Sequence, residues 1–447
     1  MRREASQLPL VLPQISHPHA TELEEIHRCL TSETGLAERV EQDLVRDVRR
    51  PETGARGMSG SQVLRALILK QMNGFSYEEL AFFLQDSITY RTFCGFGAFD
   101  RVPSRSTLAE NIGKVRPETL EAINRDVVAQ AMAEGVESGE KVRIDATVTE
   151  ANIHEPSDSE LLWDGVRVLT RLLKQAKERF GFTDFSDHTR MAKRRMTKIR
   201  FARRKEKRKE PYQELLKAAH RVRGYAVEAL RFLETGSVVP DDARVLATEL
   251  RDLLALFERV IDQTERRVLR GESVPAAEKV VSLFEPHADI IVKDGRDTFY
   301  GHKVYVNGGA SGLILDCWVT DGNPADSTQV VPMLERQRLL YGRVPRQACF
   351  DGGFASQANV RQAKELGVED VAFSKKRGIK VTDMVRDSWV YKRLRDFRAG
   401  IEAVISFLKR AFGLNRCTWR GATRFKAYVQ ASVLSANLLL LARHRMT

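Results

Sequence analysis

Apolar positions recur at helical spacing from about residue 59 onward. In Ser61 to Met72, Val63, Leu64, Leu67 and Ile68 fall on one face, and Gly74 ends the run. Ser76 and Glu79 then form a capping-box signature, Thr107 and Glu110 form another, and Pro117 stands early in a helix that closes near Gly135. Residues 1–58 are mixed in composition and too weakly periodic to predict an element. Lys141 to Val148 (KVRIDATV) is β-rich and predicts a strand. Residues 159–271 return to helical spacing, with runs from Leu161 to Phe180 and from Ala243 to Leu269, each ending at a glycine. Strands resume after Val280, at Phe299 to Val306, Leu313 to Val319, Arg346 to Phe350 and Asp370 to Phe373. Two helices close the pattern, Asp396 to Phe412 and Thr423 to Arg443. The order predicts a strand-rich core interrupted by a long helical insertion between its first and second strands.

Composition narrows the class. A chain of 447 residues makes two or three domains. No secretory signal is expected, because Arg2 and Arg3 lead into polar residues and prolines rather than an apolar core. Ala427 to Ala442 is apolar but short for a bilayer span and contains Gln430, Ser432 and Asn437, so a buried helix is expected and no membrane partner. Cys29, Cys94, Cys317, Cys349 and Cys417 form no CxxC pair and suit reduced core thiols in the cytoplasm. No HExxH, Walker A or GxSxG motif is present, and His287 and His302 are expected to be structural or surface residues rather than ligands.

Charge adds a partner. The net charge is +12, and Arg190 to Lys209 alone holds twelve Lys or Arg against one Glu, a local net of +11. Such a stripe suits a polyanion, with Arg194, Arg195, Lys198, Arg203, Arg204 and Lys205 as candidate contacts, although a solvated basic helix has the same composition. The short N-terminal helices are compatible with a helix-turn-helix nucleic-acid reader and equally with a bundle that only packs.

Three acids carry the candidate chemistry. Asp145 lies inside a predicted strand among apolar neighbours. Asp351 stands at a strand end before Gly352 and Gly353. Glu402 shares a helix with Arg398 and Lys409, and the spacings i, i+4 and i+11 bring the three within about 40° of one another. A carboxylate inside a strand is costly unless it is paired or binds a cation. Each acid has an ordinary alternative: a hydrogen-bonded strand residue, the Asp of a DG turn, and an i,i+4 surface pair. Together, three acids with flanking cations suit two Mg²⁺ (or Mn²⁺) ions and a phosphate-bearing substrate.

These residues resemble a known family. RIDATVTEANIHEPSDSELL, CFDGGFAS and FRAGIEAVISFLKRAFGLNRCTWRG are similar to the three catalytic motifs of bacterial insertion-sequence transposases of the DDE class. MSGSQVLRALILKQMNGFSYEELAFFLQDS, YRTFCGF and VPSRSTL are similar to their helical N-terminal domain. The last catalytic motif follows the pattern Tyr-x2-Arg-x3-Glu-x6-Lys, with Arg395 standing at the tyrosine position. The resemblance implies an α/β fold: an RNase H-like mixed sheet with flanking helices, an insertion after the first strand and an all-α domain in front. It divides the chain into an extension (1–58), a helical and possible DNA-reading domain (59–138), a catalytic domain (139–158 and 276–447) and a basic helical insertion (159–275).

The resemblance implies Asp145, Asp351 and Glu402 as catalytic and metal-binding residues, two Mg²⁺ or Mn²⁺ per site, and Arg398 and Lys409 as DNA contacts. It implies cleavage of element ends by hydrolysis and joining of the 3′-OH to target DNA by transesterification. Its partners are terminal inverted repeats and target DNA, engaged by a homodimer on paired ends in the bacterial cytoplasm. The alternatives are an inactive DNA-binding (repressor-like) descendant and a DNA nuclease without strand transfer.

Overall fold

The structure, a computed structural model, describes residues 17–32, 35–50, 53, 57–97, 100–204, 206–235, 240–293 and 297–447. Seven helices come first: α1 (Pro18–Ser32), α2 (Leu36–Val45), α3 (Gly60–Asn73), α4 (Tyr77–Asp86), α5 (Ile88–Phe93), α6 (Arg105–Lys114) and α7 (Pro117–Ala133). Two of them occupy a segment that weak periodicity left unassigned. Leu23, Ile26 and Leu30 of α1 and Leu36, Val40 and Leu44 of α2 are buried among α3, α7 and the C-terminal helix, so tertiary packing supplies what local pattern does not. Ser76 and Glu79 do form a capping box at α4. The expected cap at Thr107 is corrected: α6 starts earlier, and the Ser104 hydroxyl accepts the Thr107 N–H. VPSRSTL offers three hydroxyls, on Ser104, Ser106 and Thr107, and Val102 and Pro103 hold the chain extended up to the first of them.

Strand β1 (Lys141–Glu150) opens the sheet and is followed by four helices, α8 (Asp158–Phe180), α9 (Thr189–Phe201), α10 (Glu206–Glu234) and α11 (Asp241–Thr264). They pack on one another around their own apolar core, which includes Leu169, Leu173, Leu215, Val222 and Phe257. Gly165 of α8 allows the closest approach, since a Cβ there would stand 2.0 Å from the Phe257 ring.

The chain then returns to the sheet with β2 (Asp289–Lys293), β3 (Asp297–Gly308), β4 (Ile314–Val319), α12 (Val330–Tyr341), β5 (Gln347–Phe350), α13 (Gln357–Glu365), β6 (Asp370–Phe373) and α14 (Val381–Met384). Two long helices finish it, α15 (Ser388–Ala411) and α16 (Ala422–Met446). Helix α15 begins eight residues before the expected start, because Asp387 caps it by accepting the Val390 N–H.

The strand order is β2-β3-β1-β5-β6, with β4 on the same edge of β3 as β2. β1 pairs antiparallel with β3 and parallel with β5, and β5 pairs parallel with β6. This mixed sheet, flanked by helices, split by an insertion after its first strand and preceded by helices, is the α/β RNase H-like arrangement expected.

Helix α16 is long and apolar enough to cross a bilayer, yet 89% of its most apolar window is buried inside the molecule. Its polar residues are used there: Asn437 accepts from the Ile314 N–H and donates to the Ile314 carbonyl, and Gln430 donates to the Cys317 carbonyl. All five cysteines are free and buried. His287 and His302 bond to each other at 2.7 Å between Glu285 and Asp289, a buried structural chain.

Gly165→Ala should destabilise the protein by about 1–3 kcal/mol through overpacking against Phe257. Urea unfolding checks this, and an unchanged midpoint would mean that the insertion core yields freely.

Candidate active site

Sheet register brings two of the three acids side by side. Ile144 of β1 is paired with Phe350 of β5, and the next residue on each strand is Asp145 and Asp351. β1 and β5 run parallel, so Asp145, midway along β1, stands beside Asp351, just past the end of β5. Helix α15 packs across β1 and β5 and supplies Arg398 and Glu402. Its approach is set by Gly400, where a Cβ would stand 1.9 Å from Arg143 Nη1. The Arg143 guanidinium uses that room to donate to the Phe397 carbonyl at 3.2 Å and lies over the Phe397 ring at 4.7 Å.

The three acids meet on Arg398. Its Nη2 lies 2.7 Å from Asp145 and 3.2 Å from Asp351, and its Nη1 lies 2.8 Å from Glu402. Arg398 is therefore not an open cation on a DNA-facing surface, as its expected role implied, but the hub of the acid cluster, only 15% exposed. The reason is distance: the i,i+4 spacing fixes its contact with Glu402, and α15 sits low enough on the sheet for the same guanidinium to reach both strands. Tyr391, one turn before Arg395, does not join the cluster. Its hydroxyl donates to the Phe373 carbonyl at 2.9 Å.

The two aspartates titrate in opposite directions. Burial raises the Asp145 carboxyl above its ordinary 3.8, and the nearby Asp351 charge adds to this, against Arg398 and the Ala146 N–H. Burial also pushes Asp351 upward. However, the Ser374 hydroxyl, the Gly352 and Gly353 N–H groups and Arg398 together hold it below 3.8. The Ser374 bond is 2.8 Å. Ionised Asp351 thus stabilises the fold above pH 3.8, and that contribution is lost as pH falls through its lower folded value. Ionised Asp145 has the opposite sign: it costs stability above its raised value.

Lys409 lines a cleft of about 570 Å³ with Asp145 and Glu402. Burial lowers its ammonium pKa, and Lys293 lowers it further. Lys293, Arg410 and Asn415 line the same cleft, and sequence reasoning named none of them for the site. Nothing local marks them: Lys293 comes from an edge strand and Asn415 from a turn after α15.

The basic stripe forms α9 and the segment after it. Ala192, Met196 and Ile199 bury one face against α8 and α10, and Arg194 and Lys198 are exposed on the other. Arg203 and Arg204 are exposed beyond the helix end, and Lys205 lies outside the described residues. Arg195 differs from expectation, because Glu214 of α10 holds it at 2.7 Å.

Comparison with known proteins gives the family. Residues 14–114 match a family model described as "Transposase domain (DUF772)", and residues 292–438 match one described as "Transposase DDE domain". The chain belongs to the DDE transposases. The second match includes Asp351 and Glu402, while Asp145 lies upstream of it, on the far side of the insertion. An uncharacterized protein, ORF8 in the nfe locus of Rhizobium meliloti, is 30% identical over 160 residues, covering 35% of the transposase and 73% of that relative. No solved structure matches.

The donor set of the transposase fits a hard divalent cation: three carboxylates around a single guanidinium leave a net charge of about −2 in all-oxygen surroundings. Among the described residues no three acidic, His or Cys side chains stand close enough to chelate an ion as they are placed. The Arg398 guanidinium stands between them, so an ion held by these acids would have to compete with it for the same oxygens. Arg398→Gln should therefore raise Mn²⁺ affinity, by roughly tenfold for about 1.4 kcal/mol of lost competition, as read by electron paramagnetic resonance. In both proteins affinity should fall on acidification from above pH 3.8, because Asp145 takes up its proton early. A weaker Mn²⁺ site in the variant would show that Arg398 organises the acids rather than competing for them.

Proposed function

We propose that this transposase cuts DNA at the ends of its element and joins the freed 3′-OH to target DNA, with Asp145, Asp351 and Glu402 as the catalytic acids. The observation that carries this reading is the convergence of those three side chains, from β1, the end of β5 and α15, on one guanidinium. Asp145, Asp351 and Glu402 would hold two Mg²⁺ or Mn²⁺ ions, which when bound lower the pKa of water and offset charge on the phosphate.

The residues of the chain bind and orient. The Ser374 hydroxyl and the Ala146 N–H, each at 2.8 Å, fix the directions of Asp351 and Asp145 before substrate arrives. Lys409, Lys293 and Arg410 line the cleft beside Asp145 and supply positive charge for a phosphodiester backbone. Arg398, once released from the acids, carries a planar fork of donors matched to phosphate oxygens. In the first step a water oxygen bonds to phosphorus and the P–O3′ bond breaks, leaving a 3′-OH and a 5′-phosphate. In the second step that 3′ oxygen bonds to a target phosphorus and the target's own P–O3′ bond breaks. One P–O bond forms for each one broken, so joining needs no external energy source.

The exposed face of α9, with Arg194 and Lys198, and the Arg203–Arg204 pair beyond it would track DNA outside the cleft. The reading supposes a dimer on paired ends, acting in the cytoplasm on terminal repeats and target DNA.

Purified protein should cut a supercoiled plasmid carrying the element ends in Mg²⁺ and not in EDTA, and Asp351→Ala should abolish cutting while retaining end binding. Wild-type cutting by that variant would sink the triad, and absence of joined products from a cutting enzyme would leave a nuclease. Separately, replacing Arg194, Lys198, Arg203 and Arg204 with Gln should weaken binding to all sequences and flatten the salt dependence by up to about 0.9 per lost phosphate contact. An unchanged slope would place this surface outside the DNA path.

A further inference from the structure

The cleft beside the acids does not end at Lys409. Asn415 lines it and also lines a second cavity, of about 560 Å³, between α3 and α4 and the segment that follows α15. Lys70, Tyr77, Arg416 and Trp419 share that cavity.

Two of these side chains are buried donors that the protein leaves without an acceptor. Lys70 is 7% exposed, and among the described residues its ammonium makes no ion pair and no hydrogen bond. Its contact is the face of Tyr77, 4.9 Å from the ring centroid. Trp419 is also 7% exposed, and its indole Nε1 has no hydrogen-bond partner. Glu79, a carboxylate at the cavity wall, is turned back to cap α4 and accepts the Ser76 N–H at 2.7 Å. Glu79 acts on the Lys70 ammonium only across a distance, without an ion pair, so an anion entering this cavity would gain a direct contact with it.

We propose that this cavity binds a phosphate group of the DNA backbone, with Lys70 giving the charge and Trp419 an N–H donor. The strand would then run from the acids past Lys409 and Asn415 to the N-terminal helices. This rests on DNA being the substrate but not on the triad being catalytic.

The test measures binding of a fluorescent random-sequence duplex in EDTA, so an inactive triad leaves the result untouched. Lys70→Met keeps the apolar stem and removes the charge. It should lower duplex affinity several-fold, reduce the salt slope by about 0.9, and leave the melting temperature equal or higher, the reverse of what loss of a structural lysine would do. Trp419→Phe should lower affinity without changing the salt slope.

pH separates the roles further. Burial pulls the Lys70 ammonium from 10.5 down to about 8. Around it stand Glu79 and Tyr77 of α4, the Arg416 guanidinium, Cys417, and Tyr428 of α16. Hydrogen bonds to Ser76 lower Glu79, while burial pushes Tyr77, Cys417 and Tyr428 up to about 12. None of these shifts brings a carboxyl, thiol or phenol into the range where Lys70 titrates. Wild-type affinity should therefore fall as pH rises through about 8, and Lys70→Arg should hold its affinity there.

Unchanged duplex affinity in Lys70→Met overturns the proposal, as does a melting temperature that falls with no rescue of binding by Lys70→Arg. Inorganic phosphate is the control for source. If it stabilises the wild type but not Lys70→Met while duplex affinity is equal in both, the site takes free phosphate and its assignment to the DNA backbone falls.

Discussion

One guanidinium holds the catalytic half of this molecule in order. Arg398 joins a strand from before the insertion, a strand from after it and the helix that crosses both, through contacts of 2.7, 3.2 and 2.8 Å. Three carboxylates gathered on one guanidinium would otherwise repel one another in partly buried surroundings, where charge interactions are strong. The arginine resolves that repulsion by contacting all three.

The supports of that contact are backbone features. Parallel pairing of Ile144 with Phe350 sets Asp145 and Asp351 abreast, and the small side of α15 at Gly400 lets the helix settle over Arg143. Around the cluster the cations divide by burial. Lys409 and Lys70 are pulled toward neutrality by desolvation, while the exposed face of α9 stays fully solvated. A polyanion would meet the solvated cations first and the buried ones last, which orders encounter before fit.

Much of this was legible in the chain. The strands carrying Asp145 and Asp351 stood out because an acid inside a β-rich run is unusual, and the Arg398–Glu402 pair followed from helical spacing. What was not legible depends on contacts between distant segments. The reach of Arg398 to both strands is set by how low α15 lies on the sheet, and the Arg195–Glu214 pair by α9 packing on α10. Helix α1 owes its burial to α16, more than 380 residues away, and α2 owes its burial to α3 and α7. The cap at Ser104 is not legible locally because Ser104, Ser106 and Thr107 all fall within one turn, with the Ser104 and Thr107 hydroxyls 2.9 Å apart in the fold. Lys70 and Lys293 carry no local signal at all, since an isolated lysine reads alike on a surface and in a cavity.

The insertion has a consequence in time as well as in space. Its helices α8 to α11 make mostly near-neighbour contacts around a core of their own, so they can form while the rest of the sheet is still unmade. β1 has no such option, because its partners β3 and β5 lie on the other side of that bundle. Glu402 follows Asp145 by 257 residues. At about 5–20 residues per second a ribosome needs roughly 13–50 s to cover that distance. Asp351 follows Asp145 by 206 residues and Glu402 comes 51 residues later, so once the bundle is made the growing chain carries one acid until Asp351, then two, and the cluster on Arg398 is complete only when Glu402 emerges.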